Sequence, residues 1–164
     1  MHGGQILWSG MDKNEPSTVS ALSEDLSLVV QTFGADSGTV HFLKEDGLLH
    51  LAAATGGLPE AVLATIAKFP VGKGMAGLAV ERGRPVDACN IQTDSSGDVR
   101  PGAKATGLSG AIVVPIFRGG EVIGALGIAN RTERSFTEAE AQDLMAAGRR
   151  LASHAFGETE WSRA

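Results

Sequence analysis

Residues 109–129 constrain this chain more than any other stretch. Ser109 to Phe117 contains Gly-Ala-Ile-Val-Val-Pro-Ile-Phe, a nearly unbroken apolar run. Arg118-Gly119-Gly120 turns it, and Val122 to Ala129 returns. Two β-compatible runs around a glycine turn predict a hairpin. Both faces of this hairpin are apolar, so neither tolerates water, and it is expected at the centre of a sheet covered on both sides. Pro115 conflicts with that position, because a central strand accepts proline only at a bulge.

The flanking segments supply the covering layers. Pro16-Ser17 predicts a helix start with Ser17 as N-cap. Val19, Leu22, Leu26, Val29 and Phe33 then recur at spacings of three and four, and Gly34 closes the helix. Gly38–Lys44, Glu45-Asp46-Gly47 and Leu48–Thr55 read as a second hairpin. Pro59 opens a short helix expected through Lys68 and ended by Pro70. Met75–Arg82 predicts another helix, stopped by Gly83, and Pro85–Ala88 a short strand. Cys89–Gly107 is polar and aperiodic, a long loop of the kind that often carries function. Thr137-Glu138-Ala139-Glu140 is a capping box that starts a helix running to about Phe156, with Ala141, Leu144, Gly148, Leu151 and Ala155 on one face. Hairpins joined by helices imply an α+β domain: a central antiparallel sheet of five to six strands with helices on both faces. Residues 1–15 are expected to be a flexible lead-in, 16–157 the domain and 158–164 a tail.

Composition narrows the functions. The 164 residues are 43% hydrophobic, enough for one domain with a core. The net charge of −5 and the scattered Lys and Arg disfavour a nucleic-acid surface. No apolar run reaches the length of a membrane span, and the start lacks a basic then apolar leader, so a cytoplasmic setting is expected. The single cysteine, Cys89, excludes an intrachain disulfide and a multi-cysteine zinc site. No HxxxH, DxDxDG or CxxC pattern indicates a metal.

Gly72-Lys73-Gly74-Met75-Ala76-Gly77 is a literal GxGxxG. A dinucleotide fingerprint needs a strand before it and a parallel βαβ unit around it. Here the preceding segment reads as helical, no parallel pair is visible, and Lys73 is not placed as in a Walker loop. Two other readings stand. The glycines permit a sharp turn and close backbone approach. The free N–H groups of the following helix can also hold an anion or a carbonyl.

In this arrangement the chain resembles a GAF domain. The resemblance is carried by Gly34-Ala35-Asp36-Ser37-Gly38-Thr39-Val40, by Val71–Gly77 with Arg84-Pro85-Val86, and by Val114-Pro115-Ile116 with Val122–Leu126. Asn130 followed by Phe136–Glu140 completes it. It covers about residues 17–156 and rests on the order and spacing of individually weak motifs. It implies an antiparallel sheet, a small-molecule pocket on one face, terminal helices that often dimerise, and proline in the Pro115 strand. Members sense cyclic nucleotides, bilins, haem, nitrate, amino acids or oxo-acids; many bind nothing and serve as dimerising modules; a few reduce free methionine sulfoxide.

The specific branches fit poorly. The cyclic-nucleotide signature is degraded to Asn130-Arg131, Phe136 and Glu140-Ala141. The reductase branch needs a second thiol to resolve a sulfenic acid, and Cys89 is alone. Bilin branches place His beside the cysteine, where this chain has Asn90. Haem would need a buried axial His, whereas His41 and His50 read as a cross-strand surface pair and His154 as a cation near a helix end.

The sequence therefore predicts a sensor module and no enzyme, with no catalytic residue, no metal and no nameable cofactor. A small polar or anionic ligand is expected among Gly74, Met75, Asp87, Cys89, Asp94, Arg100 and Ser109, under a lid from Asn90 to Thr106. The signal is expected to leave through a homodimer built on the terminal helices, or through a signalling protein such as a kinase. The alternatives are a ligand-free dimerising scaffold and thiol chemistry at Cys89.

Overall fold

A computed structural model describes residues 16–55, 57–99 and 106–156, with side chains from residue 21 onward. The expected lead-in and tail, Arg100, and the Ser17 cap lie outside the described residues and side chains. The elements are α1 (Pro16–Thr32), β1 (Ser37–Leu43), β2 (Leu48–Ala54), α2 (Glu60–Thr65) and β3 (Lys68–Pro70). They continue with α3 (Gly74–Arg82), β4 (Val86–Ala88), β5 (Gly110–Arg118), β6 (Glu121–Asn130) and α4 (Glu138–Phe156).

All six strands form one antiparallel sheet in the order β3-β2-β1-β6-β5-β4. The β5–β6 hairpin is interior, as its two apolar faces require, with β6 beside β1 at the centre. Pro115 is accommodated because β4 pairs only with residues 111–113, leaving the Pro115 stretch paired on one side alone. Strand β3 was not anticipated. Helix α2 stops at Thr65 and Lys68-Phe69-Pro70 pairs with Leu48–His50, so the glycine-rich stretch does follow a strand. That strand is a three-residue antiparallel edge, which still rules out a parallel nucleotide-binding unit.

Side-chain size alternates along the central strands and sorts the two faces. Ile112, Val114, Ile116, Leu126, Ile128, Val40 and Phe42 point to one face and are buried against α1 and α4. Leu22, Leu26 and Val30 of α1 seal this core, so the seam runs through Val30 while Val29 and Phe33 are only partly covered. Burying each such side chain stabilises the fold by about 1.5–3 kcal/mol. Helix α4 packs its expected stripe inward, and a Cβ on Gly148 would lie 3.2 Å from Ile116 Cγ1. The other face carries Ala111, Val113, Ala125, Gly127 and Ala129, and α2 and α3 lie over it.

The degraded signature after β6 is a structural clasp. Asn130 Nδ2 donates to the Gly34 carbonyl at 2.8 Å, and its Oδ1 accepts from Arg134 Nη1 at 2.8 Å. Arg134 reaches Glu140 at 3.0 Å and stacks over the Phe136 ring at 4.5 Å. The capping box is closed in both directions, Thr137 N–H to Glu140 Oε1 and Glu140 N–H to Thr137 Oγ1. The Thr137 amide and then Arg134 hold the Glu140 carboxyl below the usual carboxylate range. Replacing Asn130 by alanine leaves the Gly34 carbonyl and Arg134 without this partner, at a cost of about 1–3 kcal/mol. Urea denaturation should show a lowered midpoint with an unchanged slope.

Candidate functional site

The small-residue face of the sheet is only half covered. Cross-strand neighbours Ser37, Ala129 and Ala111 form one row, and Thr39, Gly127 and Val113 the next. A third row, at Ala125, is filled by Phe69 and Val80. Over the first two rows lies a cavity of about 450 Å³. Its walls are Leu58, Val62 and Ile66 around α2, Phe69 on β3, and Ile91, Thr106 and Leu108 from the β4–β5 connection. Lys73, Gly74, Met75 and Ala76 form the remaining edge.

The glycine motif builds that edge. Gly72 and Gly74 have φ of 92° and 70°, which turn the chain from β3 into α3. A Cβ on Gly77 would lie 3.0 Å from both the Gly72 nitrogen and the Pro70 carbonyl oxygen, so the helix starts hard against its own approach loop. The Gly72 N–H donates to the Gly77 carbonyl at 2.9 Å and closes the turn. Helix α3 has no side-chain N-cap. The amides of Gly74, Met75 and Ala76 precede the first intrahelical donor, the Gly77 N–H, which bonds the Lys73 carbonyl at 3.1 Å, and a helix start of this kind puts donors and a partial positive pole at the cavity edge. The motif thus serves packing and presents N–H groups together.

His41 corrects the sequence reading most. It is 3% exposed, not a surface residue, and it lines the cavity. A register shift between Val40 and His41 sets it opposite Leu51, not His50. Its Nε2 donates to the Ile66 carbonyl at 2.9 Å and its ring meets Phe69 edge-on at 4.9 Å. Nδ1 is buried, and among the described residues no group bonds it. Burial pushes the imidazole down from 6.5 to about 4, so it is neutral near pH 7. His50 instead pairs with Asp46 at 2.8 Å on the β1–β2 turn. The Leu48 amide and then His50 lower the Asp46 carboxyl.

Of the residues expected at the site, Gly74 and Met75 line the cavity. Asp87 is exposed on β4, opposite Ile112. Cys89 is exposed just beyond β4, where Ser135 Oγ donates to its Sγ at 3.6 Å. Asp94 binds the amide and hydroxyl of Ser96. Ser109 is a sheet-edge link, donating its N–H to Asn130 O at 2.7 Å and accepting from the Ile91 amide at 2.6 Å. None of these four is a lining residue. The described part of the expected lid does not hang free. Gln92 Nε2 reaches Leu108 O at 2.7 Å, Asn90 binds Glu133 at 2.8 Å, and Asp98 pairs with Arg82 at 3.1 Å.

Among the lining residues missed are Ser37, Thr39, His41, Lys73, Gly127 and Ala129. The signal that finds the strand residues among them is the alternation of small and large side chains along β1 and β6, where Gly127 and Ala129 sit between Leu126, Ile128 and Asn130. Among the described residues no three His, Cys, Asp or Glu side chains gather to hold a metal, and no helix is long and apolar enough to cross a membrane.

The family profile for the GAF domain matches residues 17–153. This chain belongs to the GAF family. The GAF domain of a putative membrane protein of Geobacter sulfurreducens superposes with a TM-score of 0.72 at 18% identity, covering 88% of this chain and 96% of that one. The GAF domain of a phosphoenolpyruvate-protein phosphotransferase of Coxiella burnetii gives 0.70 at 22%, covering 98% and 96%. The free methionine-R-sulfoxide reductase of Neisseria meningitidis, solved with its substrate, gives 0.70 at 22%, covering 95% and 87%. These identities establish a common fold and nothing finer. No curated protein matches the sequence.

Proposed function

We propose that this GAF domain is a small-molecule receptor and not an enzyme, and that its ligand is an anion or strong acceptor carried on a compact apolar body. The observation that carries this reading is the 450 Å³ cavity, with Ala, Gly and Val on its floor and the uncapped start of helix α3 at its edge. Lys73 is the one charged side chain among the described lining residues, and no carboxylate is among them. A cation would find no partner there. An anion finds Lys73 and the α3 dipole, and an apolar body finds a floor suited to it.

The signal leaves through α1 and α4, which cover the opposite face of the same central strands. A homodimer through these helices, or a protein partner such as a kinase in a cytoplasmic setting, receives it. Leu28, 62% exposed on α1, is the large apolar side chain that the described part of those helices leaves exposed. The thiol-enzyme alternative draws on the reductases of like fold. Cys89 is the sole cysteine and does not line the cavity, which weighs against it.

Ala129→Phe places a ring over the Ser37–Ala129–Ala111 row and should abolish ligand retention while the domain stays folded. Native mass spectrometry of wild-type protein incubated with small carboxylates reads both the adduct and the dimer mass. The reading expects an adduct that Ala129→Phe loses and Cys89→Ser keeps. Equal adducts in wild type and Ala129→Phe overturn it, as does thiol-dependent turnover of methionine sulfoxide that Cys89→Ser removes.

A further inference from the structure

Resting on the receptor reading, we propose that Ser37 and Thr39 are the specificity-determining residues of the cavity: their hydroxyls bond a neutral hydroxyl group that the ligand carries at the end remote from its anion. The ligand class is then a carboxylic acid with an apolar body between two polar ends, a phenolic acid being the compact case.

The cavity face of β1 is polar where the floor is open. Ser37 and Thr39 both line the cavity, and each begins one of its two uncovered rows. The strand fixes their direction. Between them, a Cβ on Gly38 would meet Val30 and Leu26 in the opposite core, so the residues on either side of Gly38 face away from that core. A Cβ on Gly127 would stand 3.5 Å from Thr39 Oγ1, which puts this oxygen beside the space that the missing side chain leaves on the floor. Neither hydroxyl bonds another described residue, and unlike His41 Nδ1 neither oxygen is sealed from solvent. An apolar ligand end over these two groups would strip them of water and give nothing back. A ligand hydroxyl replaces the water, because each partner both donates and accepts.

The anion end lies across the sheet. Met75 of α3 packs against the cluster that contains Ala111, and Ala111 is joined to Ser37 through Ala129. Two strand spacings, about 10 Å, therefore separate the β1 hydroxyls from the floor beneath the start of α3. This span sets where the ligand's hydroxyl must stand, and an acid that lacks it, or carries it near the carboxylate, leaves Ser37 and Thr39 unpaired.

Three matched acids test this. 3-(4-Hydroxyphenyl)propionate carries the hydroxyl at the far end, 3-(2-hydroxyphenyl)propionate carries it near the carboxylate arm, and 3-phenylpropionate has none. Titration calorimetry should show the 4-hydroxy acid binding about tenfold tighter than either of the others. In the double variant Ser37→Ala, Thr39→Val this advantage should vanish, with 3-phenylpropionate still bound. Intermolecular nuclear Overhauser contacts in the wild type give a readout independent of any variant. The ring protons beside the 4-hydroxyl should contact the Thr39 methyl, and the methylene beside the carboxylate should contact the Met75 amide. Equal affinities for the three acids, an advantage that survives in the double variant, or contacts in the reverse orientation overturn the role of Ser37 and Thr39 and leave the receptor reading standing. Binding of none of the three overturns both.

Discussion

Gly124→Ala should be the most damaging single-methyl change in this domain, lowering stability by about 3 kcal/mol or more. A Cβ there would lie 2.2 Å from the His41 carbonyl oxygen and 2.9 Å from a Phe42 ring carbon. The first is backbone of the paired strand and cannot rotate away. Gly124 pairs with Phe42 on one side and Ile116 on the other, so relief requires moving β1 or β6 at the sheet's centre. Chemical denaturation is the check. A midpoint equal to wild type would show that the central strands yield far more easily than close packing allows.

The second large effect is a loss of stability on mild acidification that belongs to His41. Its folded value of about 4 lies below the ordinary 6.5, so the unfolded chain takes up the proton first. Stability is therefore full above pH 6.5, falls as the pH drops through the window from 6.5 to about 4, and levels below it. At about 1.4 kcal/mol per pH unit the total loss is about 3 kcal/mol. His41→Leu should remove most of this slope while lowering stability at pH 7, since the Ile66 carbonyl then loses its donor. Urea melts from pH 7.5 to 4.5 compare the two. Parallel curves for wild type and variant would mean that His41 is charged or solvated in the folded protein.

The same residue marks where the sequence stops being legible. Hairpins, the α3 and α4 helices and the Thr137–Glu140 box follow from local chemistry: Asp46-Gly47, Gly119-Gly120, Gly83 in the left-handed region, and reciprocal caps. Pro70 reads as a helix stop because proline ends helices. Yet it closes an edge strand, where a missing N–H is harmless. His41 and His50 look equivalent on paired strands. Only the register shift at Val40/His41 and the arrival of Ile66 and Phe69 from a distant segment bury one of them. The cavity edge at Gly74 and Met75 could be anticipated because helix starts leave free amides by rule. Asp87, Cys89 and Asp94 were attractive as polar residues near a long loop, but loop polarity does not fix direction. The informative pattern was a deficit of size, with Gly127 and Ala129 leaving a floor that no polar residue announces.

The most direct test of the receptor claim is the set of backbone amide resonances of Gly74, Met75 and Ala76, followed by proton–nitrogen NMR as 3-(4-hydroxyphenyl)propionate is added. The account predicts saturable shifts at these three amides and at Thr39 and Gly127 on the floor, all absent in Ala129→Phe. Shifts that never saturate, or that persist unchanged once the phenylalanine ring fills the floor, would contradict it.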